Sequence, residues 1–385
     1  MTGQDFILNG RGYGAIAEGL AECGWDPHQL RPYFDEYGRP TVTINTGRRD
    51  ADGKPVYKQK LIAELTANGF VVNTPTTLRK LEWIELDKVV IRAARERLRA
   101  WSDLAAVSSY GGFNGMSKLI LEHETMSDPG IAQVDFDGLS EARTDSPLFQ
   151  LQGLPLPITH SDFWFSSRRL MVSRNESNPL DTSMGEAAGR RVAEMIEKTL
   201  IGTVTGPVYG GSPISYGRTS QVYGYTNFPP RITSATLRIP TGGGWAPSQT
   251  IADVLGAIQT LANQNFYGPF MLYHSTDWDL YMDQDYILTG GNVATQTLRN
   301  RLRSIEQIKD VRRLDFLKSA TNPYTLLLVQ MTPEVARAVN GMDITTVQWP
   351  SAGGFRLNFK VLCIQVPQLR ADYNSNCGIC HMIAA

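Results

Sequence analysis

The chain has 385 residues, 42% of them hydrophobic and 19% charged, with a formal net charge of -1. That length suits one large folded unit or two smaller ones, and the balanced charge argues against a protein that grips nucleic acid through a large basic excess. The opening Met1-Thr2-Gly3-Gln4-Asp5 lacks the basic-then-apolar pattern of a signal peptide, and no run nears the ~18 apolar residues of a membrane span, so a soluble product of a reducing cytoplasm is expected.

Residues 1 to about 75 carry few large apolar side chains and read as an arm that lies on something else. Gly10, Gly12 and Gly14 alternate in a short loop, and Thr41 to Ile44 reads as a strand that turns at Asp50 to Gly53 onto Val56-Tyr57. From Leu81 to Leu104 the period becomes helical, with Trp83, Leu86, Val90, Ile91, Ala94, Leu98 and Trp101 at steps of three and four. The opposite face holds Lys88, Arg92, Arg95, Glu96, Arg97 and Arg99. Interleaved acids favour a solvated or partner-facing surface there over a nucleic-acid contact.

Residues 105–155 change character. Gly111, Gly112 and Gly115 open the stretch, and turn signals follow at Asp128-Pro129-Gly130, Asp137-Gly138 and Asp145-Ser146-Pro147. Strand candidates lie at Lys118 to Glu124, Ala132 to Phe136 and Leu148 to Leu151. Some forty residues of extended chain inside a compact unit are usually functional or partner-bound, and the reading is a long two-stranded arm. Residues 156–174 read as a strand entering the core, with Ile158, His160, Phe163, Phe165, Leu170 and Val172 as its apolar set.

The clearest helix follows. Ser183 with Glu186 has the spacing of a capping box, and Met184, Ala188, Val192, Met195, Ile196 and Leu200 form an apolar stripe. Glu186, Arg190, Arg191, Glu194, Glu197 and Lys198 cover the other side, and Gly202 supplies the stop. After an irregular Gly- and Pro-rich stretch, a second helix is expected from Pro247 to Gln264, with Ser248 as its cap and Ile251, Val254, Leu255, Ile258, Leu261 and Ala262 inward. Phe270 to Tyr273 and Tyr324 to Met331 read as buried strands. Asp277 to Tyr286, Val293 to Leu302 and Pro333 to Asn340 read as helices. Ile344 to Trp349 and Phe355 to Val366 read as a hairpin across Ser351 to Gly354, closed by Pro367. Helices and strands mix without βαβ alternation, so the class is α+β.

The search for chemistry finds no nucleophile elbow, phosphate loop, dinucleotide fingerprint or metalloprotease motif. His28, His123, His160, His274 and His381 are dispersed, and Asp277, Asp279, Asp283 and Asp285 fit a solvated helix face better than a calcium loop. Four cysteines are too few for a disulfide framework, and Cys23 and Cys363 read as core thiols. Cys377-Gly378-Ile379-Cys380-His381 matches the haem-attachment spacing C-x-x-C-H. The same residues, within Asn376 to Ile383, also read as a terminal strand in which Cys377 and Ile379 alternate with Cys380 and His381 by face. A soluble haem or redox protein using Cys377, Cys380 and His381 is therefore one alternative, with the plain strand preferred. No catalytic residue, cofactor or metal ligand is assigned.

Three stretches carry a resemblance. Leu154-Pro155-Leu156-Pro157-Ile158 and Asp162-Phe163 run through Ser166, Arg168 and Leu170 towards the helix at 183–201. Tyr223-Gly224-Tyr225-Thr226-Asn227 precedes Pro229. Tyr267-Gly268-Pro269-Phe270, Leu272-Tyr273, Trp278 and Asp285-Tyr286 follow, with Ile364, Val366-Pro367 and Gly378-Ile379 near the end. Collinear over residues 81–385, they resemble tailed-bacteriophage major capsid proteins and encapsulins. The resemblance implies the Hong Kong ninety-seven type capsid fold: an N-terminal arm (1–112, including helix 81–104), an extended loop (113–155), a peripheral domain (156–204, with spine helix 183–201), a mainly axial domain (205–342) and shared closing strands (343–385). It implies a structural protein and not an enzyme, one that self-assembles as pentamers and hexamers into an icosahedral shell around double-stranded DNA, in the virion. Portal, scaffold and cement proteins are its implied partners, with packaged DNA only nearby and no membrane. An encapsulin enclosing a cargo enzyme is the second reading. Some shells of this kind are cross-linked through a lysine of the extended loop; Lys118 is the only lysine between residues 105 and 155, so a non-cross-linked shell is expected.

Overall fold

The computed structural model of the chain describes residues 31–49, 55–67, 78–127, 136, 146–175, 182–204, 208–209, 212–213, 222–241, 245–287, 293–318 and 323–384. The glycines at 10, 12 and 14, Cys23 and most of the strand expected at 132–136 lie outside them.

Strands form where they are expected, at Thr41 to Ile44 and at Val56-Tyr57. Tyr33–Phe34 (β1), Pro40–Arg49 (β2) and Pro55–Leu61 (β3) form a three-stranded sheet, followed by the short helix Ile62–Ala67 (α1). Val42 and Ile44 are buried, their alternation placing both on one face. The helix expected at 81–104 is two helices, Lys80–Arg97 (α2) and Ala100–Val107 (α3). Helical geometry fails at Leu98, whose ψ is 84°. Trp83, Leu86, Val90 and Ala94 are inward as expected, whereas Ile91 is exposed and Ala93 takes a buried place.

After Ser109–Tyr110 (β4) comes a hairpin of Ile120–Met126 (β5) and Phe149–Pro155 (β6), then Thr159–Ser166 (β7). The strand expected through residue 174 stops at 166, and Ser167–Asn175 is a helix (α4), so Leu170 and Val172 are helical. In β7 only Phe163 and Phe165 point inward; Ile158 and His160 have the other parity and are exposed. Ser183–Ile201 (α5) is the long helix, and Gly202 ends it at φ 98°, a left-handed conformation that costs a glycine little. Its cap is Thr182 without a side-chain bond, so Ser183 is the first helical residue and no capping box forms. Met184 and Met195 are exposed, while Glu197, expected in solvent, is buried.

The remainder comprises Val208–Tyr209 (β8), Ser212–Pro213 (β9), Ile232–Leu237 (β10), helix Pro247–Ala262 (α6), Phe270–His274 (β11), helix Asp279–Met282 (α7), Asp285–Ile287 (β12), Val293–Thr297 (β13), helix Leu298–Arg303 (α8), Ile308–Arg313 (β14), Thr325–Gln330 (β15), Ala336–Ser351 (β16), Arg356–Leu369 (β17) and Ile379–Ala384 (β18). Five expectations fail here. The helix α6 opens at Pro247 as expected, but its cap is Ala246 and not Ser248, and Leu255 faces outward. Asp277 to Tyr286 is a single turn, a four-residue helix and a strand. Val293 to Thr297 is a strand that leads into a helix. Pro333 to Asn340 is not helical, because from Ala336 the chain is already paired with β17. Pro367 does not end β17; it pairs with Ala338 two residues before the strand finishes.

Two sheets organise these elements. One has the order β4-β16-β17-β7, and the other β10-β18-β15-β11-β14. In the second, β11 and β15 read as unbroken apolar runs because both faces are covered. Phe270, Leu272, Leu326 and Leu328 pack on α6, while Met271, Tyr273, Leu327 and Val329 enter the core shared with α2, α3, α5 and the first sheet. Each fully buried large side chain contributes about 1.5–3 kcal/mol, so these alternating runs join the two cores through one sheet. Among the described residues no helix is long and apolar enough to cross a membrane.

Candidate functional site

The hairpin β5–β6 is rooted in the core at its base and leaves it towards its tip. Its register runs from Ile120 opposite Pro155 to Met126 opposite Phe149. At its base Leu121 and Leu154, with Leu156, pack on Val222, Val339, Ile364 and Val366. Beyond this anchor the pair carries exposed apolar side chains: Met126, Phe149 and Leu151, with Leu148 at the end of the strand. By strand parity Met126, Phe149 and Leu151 share a face with Glu122 and Glu124. Past the last strand pair, the Ser127 amide donates to the Leu148 carbonyl and the Leu148 amide donates to the Ser127 hydroxyl oxygen, each at 2.9 Å. Such a face, apolar with an acidic margin, suits burial against another surface. Lys118 stands at the hairpin base with its ammonium 5.6 Å from the Phe113 ring centroid.

A second exposed surface lies on the first sheet. Trp164 of the edge strand β7 is about half exposed, with the Arg356 guanidinium 4.4 Å above its ring. Phe355 beside it is exposed, as are Met171 and Val172 on α4. Both partners of the Trp164 stack sit outward because Phe163 and Phe165, of the opposite parity, take the core side.

The charged residues singled out by sequence have different fates. Lys88, Arg92, Arg95 and Arg99 are exposed as expected, and Arg97 lies 3.7 Å from Glu194 of α5. The acidic cluster is not a solvated helix face. Lys318 pairs with Asp277 at 2.9 Å, Arg299 with Asp279 at 3.1 Å and Asp283 at 2.9 Å, and Arg313 with Asp279 at 2.7 Å. Burial works against the charge on Asp279, but hydrogen bonds from Arg313 and Arg299 outweigh it and hold its carboxyl below the ordinary range. Among the described residues no group of three His, Cys, Asp or Glu side chains is placed to hold a metal.

Of the strand expected over Asn376 to Ile383, β18 forms only from Ile379, so Cys380 lies in it and Cys377 two residues before it. Cys377 and Ile379 face one core, and Cys380 faces the other. His381, next to Cys380, falls on the face opposite to it by alternation. Burial pushes the Cys377 thiol up to about 11 and the Cys380 thiol up to about 12, and it pushes His381 down to about 4. Cys377 donates to the Pro230 carbonyl at 3.3 Å. Thiolate is the reactive form of cysteine, so two buried, protonated thiols suit packing and not attachment chemistry.

Sequence reasoning missed one residue. Glu197 follows Ile196 at the margin of the α5 stripe, where a carboxylate normally reads as solvent-facing. It is 2% exposed, and its Oε1 accepts the Trp101 amide at 3.2 Å, at the N-terminus of α3. Burial raises its carboxyl to about 7, against the lowering effect of the Trp101, Arg99 and Ala100 amides. Its other oxygen, Oε2, has no hydrogen-bond partner.

The model of one protein family, described as a family of unknown function (DUF6260), matches residues 73–382. The chain belongs to this family. No curated protein sequence matches it. Among solved structures, the capsid of the Myoviridae phage XM1 is 11% identical, covering 71% of this chain and 89% of that one, with a TM-score of 0.50. A virus-like particle from Pyrococcus furiosus is 15% identical over 78% of this chain and 98% of that one, with a TM-score of 0.49. The capsid of a native GTA particle is 12% identical over 75% and 91%, with a TM-score of 0.48. The likeness to the XM1 capsid establishes the fold class expected from sequence, α+β of the Hong Kong ninety-seven type.

Proposed function

We propose that this chain is the major capsid protein of a tailed bacteriophage, a subunit that assembles with its own copies into a closed shell around double-stranded DNA. The observation that carries the reading is the hairpin β5–β6 on this fold: rooted in the core by Leu121 and Leu154, it presents Met126, Phe149 and Leu151 outward. Ordering a backbone residue costs roughly 1–2 kcal/mol. Beyond the base, that cost is offset only when the apolar face is covered by a neighbouring copy. Shell contacts of this kind are heterologous, and curvature closes the array.

In this reading residues 1–112 are the arm, 113–155 the extended loop, 156–204 the peripheral domain with α5 as its spine, 205–342 mainly the axial domain and 343–385 the closing strands of both. Pentamers and hexamers form the lattice, with portal, scaffold and cement proteins as further partners. The subunit is made in the host cytoplasm and ends in the virion.

The experiment replaces residues 124–148 with a short Gly-Ser turn. The expected product has the circular dichroism of the full chain and stays a dispersed subunit in sedimentation and negative-stain images, because its cores are intact and the bridge to its neighbour is gone. Normal particles from the deletion overturn the reading of the hairpin as the intersubunit arm.

A further inference from the structure

A basic surface runs from the outer face of α2 into a cleft beside β14. On α2, Lys88, Arg92 and Arg95 recur at steps of four and three, which puts them on one side of the helix. All three are exposed, as is Arg99 in the joint after α2, and none of the four makes an ion pair or hydrogen bond with a described residue. Of the acids interleaved with them, Asp87 pairs with Arg31, and the Glu82 side chain accepts the Arg79 amide at 2.8 Å. Glu85 and Glu96 stay exposed.

Arg99 also lines a cleft of about 600 Å³ between the α2–α3 joint and the α8–β14 segment. Five guanidiniums, of Arg99, Arg299, Arg303, Arg312 and Arg313, line it against two carboxylates, Asp279 and Asp310. Each carboxylate is shared. Asp279 takes Arg299 at 3.1 Å and Arg313 at 2.7 Å, and Asp310 takes Arg303 at 2.7 Å and Arg312 at 2.8 Å. The further acid partners Asp103, Asp283 and Asp315 do not line the cleft. Fixed by their other nitrogens, the four arginines keep Nη1 of Arg299 and Arg303 and Nη2 of Arg312 and Arg313 without a hydrogen-bond partner among the described residues.

We propose that the α2 stripe and this cleft form one track for the phosphate backbone of double-stranded DNA. Guanidinium forks match phosphate oxygens, and here the shared carboxylates hold four of them in place before a ligand arrives. From Lys88 to Arg95 the stripe spans about 10 Å of helix, which suits a ligand whose charge repeats along its length over a single anion. Such a contact reads backbone and not base sequence. The inference deepens the shell reading, since DNA is what that shell encloses, but the track belongs to the subunit and is tested on it, so either can fail alone.

The test is fluorescence anisotropy of a labelled duplex of about 30 base pairs, titrated with the full chain, dispersed as shown by sedimentation. Four or more phosphate contacts should make wild-type affinity fall roughly a hundredfold or more between about 50 and 200 mM salt. Arg92→Gln with Arg95→Gln removes two contacts and should shrink that fall about tenfold. Arg99→Gln and Arg303→Gln, at the joint and in the cleft, remove one contact each and should shrink it about threefold. Arg190→Gln with Arg191→Gln, the same loss of charge from the exposed face of α5, should leave it unchanged. Circular dichroism checks that each variant is folded. The track is overturned by a duplex that does not bind at low salt, by an equal effect of the α2 and α5 pairs, or by Arg99→Gln or Arg303→Gln behaving as wild type. Binding of inorganic pyrophosphate without binding of the duplex overturns it as well.

Discussion

The crossing of α2 and α5 permits a quantitative test of how tightly the body is built. A Cβ on Gly189 would lie 2.8 Å from the Val90 carbonyl oxygen and 3.2 Å from its Cα, so backbone meets backbone and the helices must separate. Overpacking of this kind costs about 1–3 kcal/mol, and rigid backbone neighbours place it at the upper end. Alanine regains about 1 kcal/mol of helix propensity over glycine. Gly189→Ala should therefore destabilise the subunit by a net ~2 kcal/mol. On Gly185 the nearest atom is Leu86 Cδ1 at 2.6 Å, the tip of a flexible side chain, so Gly185→Ala should be close to neutral. Gly256 in α6 has nothing within 4 Å, and Gly256→Ala should stabilise by about 1 kcal/mol. Urea unfolding of the unassembled subunit, followed by circular dichroism, ranks the three midpoints. A Gly189→Ala midpoint at or above that of Gly256→Ala refutes the close crossing.

Three further outcomes follow from the charged and sulfur-bearing residues. Asp279→Asn loses the pairs with Arg299 and Arg313 and, being partly exposed, should cost about 1 kcal/mol. Because the folded carboxyl titrates below its ordinary 3.8, that contribution is present at neutral pH and is lost as pH falls through the lower folded value. The gap in urea midpoint between wild type and Asp279→Asn should accordingly close in acid; a gap that widens there contradicts the ion-pair assignment. Cys377→Ser with Cys380→Ser should lower stability by about 1–3 kcal/mol through two buried hydroxyls while leaving assembly intact, and a haem Soret band or stoichiometric zinc in the purified wild type contradicts the packing role. Particles boiled in SDS should run as a single monomer band, since Lys118 is the only lysine of residues 113–155 and stands at the base of the hairpin; a ladder of multimers would show covalent cross-links.

Much of the fold was legible because its strongest elements obey one period. The long helix at 183–201 appeared with both ends correct, since Ala188, Val192, Ile196 and Leu200 step by four and Gly202 supplies a left-handed stop. The apolar runs at 270–273 and 324–331 were legible as strands for the opposite reason, both faces being buried. Failures concentrate where tertiary pairing overrides local pattern. Pro333 to Asn340 has helical periodicity, yet Ala336 onward pairs with β17 residue by residue. Asp277 to Tyr286 reads as helix, but only Asp279–Met282 is one after a single turn, and the acids meet Arg299, Arg313 and Lys318 from other elements. The hairpin was visible through its turn residues and its shortage of core side chains. Glu197 was invisible, because a burial that depends on the N-terminus of another helix 96 residues away leaves no mark in local sequence.

Electron microscopy of the full chain, expressed and purified under native conditions, bears most directly on the assignment. Closed, hollow shells of uniform size, sedimenting far ahead of a single subunit, are the predicted result. A population of subunits and small oligomers alone, unchanged on concentration and on co-expression with the genes flanking its own, would contradict it.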